Sequence, residues 1–191
     1  QDLRDKRYRS ESGYQTFFSQ EIPLVSDNSE FSNAFEISKY KKLSTKSDTI
    51  GKISFYAKTI TGLSDDVRVS KRLNVPSYKL RGFEKGKVGP VENSDYIGGN
   101  HVSALNLSAT LPNIVEGLDN LDVGVFFDAA NVWGVDYDSS IDDKSTLRSS
   151  AGVALNLMTP IGPLSFSFAN ALSKASSDKT ETFRFNLGTQ F

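Results

Sequence analysis

The sequence keeps time in twos. From Phe183 onward, Phe183, Phe185, Leu187 and Phe191 alternate with Arg184, Asn186, Gly188 and Gln190. Successive side chains of a β-strand point to opposite faces, so a segment of this kind has one apolar side and one polar side. The same rhythm returns upstream. Phe31, Phe35 and Ile37 oppose Ser32, Ala34, Glu36 and Ser38, and Ile53, Phe55 and Ala57 oppose Lys52, Ser54, Tyr56 and Lys58. Leu105, Leu107, Ala109 and Leu111 face away from Ala104, Asn106, Ser108 and Thr110; Val123, Val125 and Phe127 face away from Asp122, Gly124 and Asp128. Ala151 to Leu157 and Leu164 to Phe168 repeat the pattern, while helical periodicity is nearly absent. The expectation is an all-β, antiparallel protein of about eight strands.

Alternation fixes one oily face per strand but does not say what covers it. A β-sandwich would match each apolar row with a second sheet, and a membrane barrel would turn it to lipid. Three observations favour the barrel. The opposite face is small or polar, with Gly, Ser, Ala and Asn and scattered charges, as a wet lumen wall requires. Connections alternate between short (Ser44–Asp48, Thr159–Pro163) and long (Thr61–Gly99, Asp136–Lys144, Ser173–Lys179), as in outer-membrane barrels. A one-residue slip of the last strand would put Arg184 into hydrocarbon at a cost of roughly 2–4 kcal/mol at mid-depth. No run of about 18 apolar residues encodes a membrane helix. The formal net charge of −1 speaks against nucleic acid as the main partner. There is no cysteine, which removes disulfide frameworks and thiolate metal sites. Gln1-Asp2-Leu3-Arg4-Asp5 has no signal-peptide character and reads as the interior of a longer chain.

The stretch 61–99 is too long for an unstructured connection in a compact domain unless it has a task. It contains Leu80-Arg81-Gly82-Phe83, Gly89-Pro90 and Ile97-Gly98-Gly99-Asn100. Followed by Phe126-Phe127-Asp128-Ala129-Ala130-Asn131-Val132-Trp133, Ser150-Ala151-Gly152-Val153, Pro160-Ile161-Gly162-Pro163-Leu164 and the terminal strand, these segments closely resemble the BamA family of outer-membrane β-barrel insertases. The resemblance covers about residues 80–191; residues 1–79 match loosely, through Leu3-Arg4-Asp5 and the Ser12-Gly13 turn.

The resemblance implies an antiparallel transmembrane β-barrel of sixteen strands behind periplasmic POTRA domains. On that basis residues 1–191 are the C-terminal half of the barrel, from the end of the eighth strand through the sixteenth, with the POTRA domains absent. The loop 61–99 becomes the sixth extracellular loop, folded back into the lumen. Arg81 matches the family's loop arginine and Asp128 its carboxylate partner on an inward position; parity independently places Asp128 opposite Val123, Val125 and Phe127. Leu80, Gly82 and Phe83 complete the loop motif, with Gly82 permitting positive φ and Phe83 wedging into the lumen. The family's second acidic partner falls on Ser108, which leaves the lock one carboxylate. Glu181–Phe191 would be the seam strand, with Phe183, Phe185, Leu187 and Phe191 as the C-terminal signal and Gly188 as the point where it kinks toward a lateral gate.

The function so implied is folding and insertion of other β-barrel proteins in the bacterial outer membrane, by conformational change and without enzymatic chemistry, cofactor or metal. The partners would be outer-membrane lipid, unfolded β-barrel clients and accessory assembly lipoproteins. Alternatives are a translocation-and-assembly module or two-partner secretion transporter of the same superfamily, a complete eight-stranded structural barrel, and a barrel enzyme, which the absence of an inward histidine disfavours. His101 shares the outward parity of Leu105 and reads as a polar interface residue. Asp136, Asp138, Asp142 and Asp143 read as a solvated loop lacking the glycine and glutamate of a calcium loop. Trp133 and Tyr137 suit an interfacial aromatic girdle.

Overall fold

The computed structural model describes residues 1–7, 9–23, 30–44, 46–112, 120–160 and 162–187. Its frame is one eight-stranded antiparallel sheet. In chain order the strands are β1 (Gly13–Glu21), β2 (Glu30–Lys42), β3 (Ile50–Gly62), β4 (Val91–Glu92), β5 (Asp95–Tyr96), β6 (His101–Pro112), β7 (Leu121–Trp133), β8 (Arg148–Thr159), β9 (Gly162–Ser173) and β10 (Phe183–Leu187). The sheet runs β1-β2-β3-β6-β7-β8-β9-β10, with β4 and β5 as a separate hairpin inside the long loop. Each strand pairs with the previous strand of the sheet, which is the up-and-down order of a barrel wall.

Cross-strand register carries the apolar rows into one continuous face. Phe35 stands opposite Ala57, Phe55 opposite Leu105, Leu107 opposite Phe127, Val125 opposite Val153, Val153 opposite Phe168, and Phe168 opposite Phe183. This face is uncovered: Val125 is 53% exposed, Phe168 49% and Phe185 50%. A contiguous patch of this extent marks a surface meant for an apolar environment. The sandwich alternative falls here, because no second sheet lies on it among the described residues. The closed eight-stranded barrel falls too. The sheet is open: β10 is paired within it on one side only, and the outer side of β1 carries only the short segment 1–3, through Leu3 N–H to the Tyr14 carbonyl at 2.9 Å and Thr16 N–H to the Gln1 carbonyl at 2.8 Å.

The buried apolar cluster lies on the other face. Val75, Leu80, Phe83 and Val88 of the long loop pack on Val102 and Ala104 of β6 and Ala130 and Val132 of β7. The small residues of the inner face are the reason: alanine at 104 and 130 leaves room for the loop's larger side chains. The core is therefore loop on sheet.

Element ends differ from the sequence expectation in a few places. β1 stops at Glu21 short of Leu24, and β3 runs on to Gly62. The stretch expected to be irregular contains the β4–β5 hairpin and 3₁₀ turns at Val69–Lys71 and Ser77–Lys79. Pro163 sits at the second residue of β9, next to the turn, where a missing donor is tolerated. At the short-turn end, Arg9 reaches Asp122 of β7 through Nε (3.0 Å) and Nη2 (2.7 Å). Gly188, Gln190 and Phe191 lie outside the described residues, so β10 is seen over Phe183–Leu187.

Candidate functional site

The site forms where a polar row crosses the inner face. Register aligns Ser38, Ser54, Asn106, Asp128 and Ser150 across β2, β3, β6, β7 and β8. Such alignment needs one inward polar residue per strand at matching depth, since cross-strand neighbours share a face. Ser38 donates to Ser54 at 2.9 Å. Asp128, at the centre, is fully buried and meets the arginine of the loop.

Arg81 Nε donates to Asp128 Oδ2 at 2.7 Å and Nη2 donates to Oδ1 at 2.8 Å, a fork on a carboxylate. The Arg81 backbone N–H adds a third bond to Oδ2 at 3.1 Å. A fourth comes from Asn106 Nδ2 to Oδ1 at 2.8 Å. The other hydrogen of that amide goes to the Lys79 carbonyl, also at 2.8 Å. Asp128 thus has its charge balanced and both oxygens satisfied, the condition for burying a carboxylate without a large desolvation loss. The guanidinium lies 3.4 Å above the centre of the Phe126 ring, in cation–π contact.

Two glycines make this possible. Gly82 has φ +86°, and a Cβ there would lie 3.1 Å from the Ala169 Cβ and 3.2 Å from the Ser150 Cβ. Gly152 stands opposite Phe126; a side chain there would strike the Phe168 carbonyl oxygen and the Phe126 ring. Gly152 lets that ring lie down as a floor for Arg81. Ser150 Oγ donates to the Arg81 carbonyl, and Phe83 is 1% exposed within the loop core.

The sequence reading brought Leu80, Arg81, Gly82, Phe83 and Asp128 together, and the structure places them in one cluster. Ser108 is different: it stands opposite Phe126, and the position facing Asp128 is held by Asn106. The second partner of the arginine's carboxylate is thus an amide donor. Phe183, Phe185 and Leu187 lie on the outer face of β10, and Phe183 and Phe185 flank the Phe166 ring at centroid distances of 6.5 and 5.2 Å.

Several other contacts were not foreseen. Lys79 is buried, paired with Glu36 at 2.6 Å and set between the Tyr56 and Tyr78 rings, each 5.0 Å away. Burial pushes its ammonium below the ordinary lysine range, against the pull of Glu36. Arg148 of β8 grips Asp178 with Nε (2.9 Å) and Nη2 (3.1 Å), and Asp178 also accepts from the Gly89 and Ala175 N–H groups. Three outer segments meet at that carboxylate.

The acidic loop after β7 is also more than solvated. Arg72 donates to Asp136 and, at 3.0 Å, to Asn100, while Asn100 Nδ2 and the Val67 N–H donate to Asp136 at 2.9 and 3.0 Å. Burial opposes the Asp136 charge, but these donors together hold its carboxyl below the usual aspartate range. The Tyr137 ring lies under Arg72 and its hydroxyl donates to Glu92, which ties this residue to the long loop. His101 sits against Trp133, ring centroids 5.5 Å apart, on the outer face.

A sheet wall with a naked oily exterior and a loop ion-paired to its interior defines an outer-membrane β-barrel. The chain belongs to the Omp85 superfamily, whose domain matches residues 1–191. Within it the chain is similar to the outer membrane protein assembly factor BamA of Neisseria meningitidis serogroup B: 33% identical, covering 59% of this chain and 17% of the relative. BamA of Neorickettsia risticii is 30% identical, covering 59% of this chain and 16% of that protein. The crystal structure of BamA from Haemophilus ducreyi lacking POTRA domains 1-3 superposes with a TM-score of 0.87 at 26% identity, covering 96% of this chain and 40% of that one. The chain therefore spans under a fifth of the length of these curated relatives. It is an outer-membrane protein, and the sheet is a C-terminal part of a BamA-type barrel.

Proposed function

We propose that this chain is the C-terminal barrel half, strands eight to sixteen of sixteen, of an assembly factor that folds and inserts β-barrel proteins into the bacterial outer membrane. The observation that carries the reading is the Arg81–Asp128 lock, which seats a long loop on the inner wall three strands from the sheet edge at β10. A strand edge offers N–H and C=O groups to an incoming chain, and strand addition is a general mode of recognising extended segments. β10 would act as the seam: it separates from the first strand of the barrel, accepts a client's terminal strand and releases it laterally, helped by a locally thinned bilayer. The mechanism is conformational, with no bond chemistry and no cofactor. Its partners are unfolded β-barrel clients, outer-membrane lipid and accessory lipoproteins. The lock supports this reading by holding the long loop on the inner wall beside the strands that lead to the seam.

The test is Arg81→Ala in cells that depend on this protein. Porin levels in the outer membrane are expected to fall although the protein itself remains in the membrane. Wild-type porin levels would overturn the reading.

A further inference from the structure

We propose that Arg184 is a positioning residue that staples the terminal strand to the lumen loop, so that loop seating and β10 pairing move as one unit. The proposal rests on the reading of β10 as the seam strand. Arg184 is the inward residue between Phe183 and Phe185, and its side chain is 10% exposed. Nη1 donates to the Ser77 carbonyl, Nη2 to the Phe83 carbonyl, and Nε to Glu181.

The placement of those carbonyls carries the argument. Ser77 and Phe83 lie on either side of Arg81 in the chain, so one planar guanidinium bridges the loop backbone before and after the residue that holds Asp128. The fork geometry matters, because an ammonium is a point charge without two diverging donors. Backbone bonds lie beside it. Phe83 bridges to Thr180, the Glu181 N–H donates to the Gly82 carbonyl at 3.2 Å, and the Glu84 N–H donates to the Lys179 carbonyl at 3.0 Å. Residues 82–84 thus run antiparallel to 179–181, as an added strand at the entry to β10. From Asp128 to the edge the path is continuous: Arg81, the backbone of 82 and 83, Arg184, β10. A loop that leaves the wall withdraws both carbonyls from Arg184, and the strand loses its inner support.

The experiment uses the intact outer-membrane protein in lipid nanodiscs and reads amide hydrogen exchange in the segments 183–187 and 79–84. Arg184→Gln keeps an inward polar side chain and is expected to speed exchange in 183–187 about tenfold, equivalent to about 1.4 kcal/mol. Arg184→Lys is expected not to restore protection. The decisive reading is a double-mutant cycle. Arg81→Ala alone is expected to speed exchange in both segments; in the Arg184→Gln background it still loosens 79–84 but adds nothing in 183–187. Additive effects in 183–187, or wild-type exchange there in Arg184→Gln, would overturn the proposal. Should Arg184→Gln not fold, Arg184→Lys, which lacks the two diverging donors, is read in the same way. Client assembly is scored separately: wild-type assembly alongside faster exchange in 183–187 removes the seam reading and leaves the staple standing.

Discussion

Replacing Asp128 with asparagine is the sharpest perturbation of the lock, because shape is kept and charge is removed. Asp128 accepts four N–H groups: Arg81 Nη2 and Asn106 Nδ2 at Oδ1, and Arg81 Nε and the Arg81 backbone N–H at Oδ2. An asparagine amide has one oxygen, so whichever way it is flipped its NH₂ confronts two donors. A buried group left without a partner costs about 1–3 kcal/mol, and breaking a buried ion pair from one side about 3–5 kcal/mol. The Arg81 side chain keeps 20% exposure and can recover water, so the lower end applies. A loss of about 3 kcal/mol in loop seating makes opening roughly a hundredfold more frequent. The Phe83 core and the Ser150 bond to the Arg81 carbonyl persist, so the loop should still return to the wall. The assay is amide exchange of Arg81 and Gly82 in the membrane-embedded protein at neutral pH. If both amides stay within about twofold of their wild-type rates, the four-donor account of the lock is wrong.

Two further outcomes follow from the geometry. Gly82→Ala puts a side chain at φ +86° within 3.1 Å of the Ala169 Cβ, and should destabilise loop seating by about 1–2 kcal/mol, seen as faster exchange in 79–84 with β6 to β8 unchanged. The Asp136 carboxyl is held below its ordinary value, so its contribution is complete above the unfolded aspartate pKa of about 3.9 and fades as pH falls through the lower folded value. Protection of the Val67 amide, which donates to Asp136, should therefore drop at acid pH after correction for intrinsic rates, and Asp136→Asn should abolish that pH dependence.

Side-chain parity was legible in the residues alone. Alternation told which of Phe127 and Asp128 lies on the apolar outer face and which on the inner face, since a strand has two faces and a one-residue slip exchanges them. The loop motif, with Arg81 as its cation and Asp128 as its inward carboxylate, was legible for the same reason: resemblance named the pair and parity put the carboxylate inside. What the strands' period cannot convey is who sits beside whom. That Asn106 and not Ser108 faces Asp128, that Ser150 caps the Arg81 carbonyl, and that Gly152 clears space for Phe126 all depend on register, which turns and long-range packing set between strands. The pairs Arg148–Asp178 and Arg72–Asp136 and the reach of Arg184 to two loop carbonyls join residues far apart in sequence, so no local pattern announces them. Period two is a property of one strand, and the sequence by itself determined the faces; neighbourhood belongs to the assembled sheet and its loop, and the tertiary structure alone decided it.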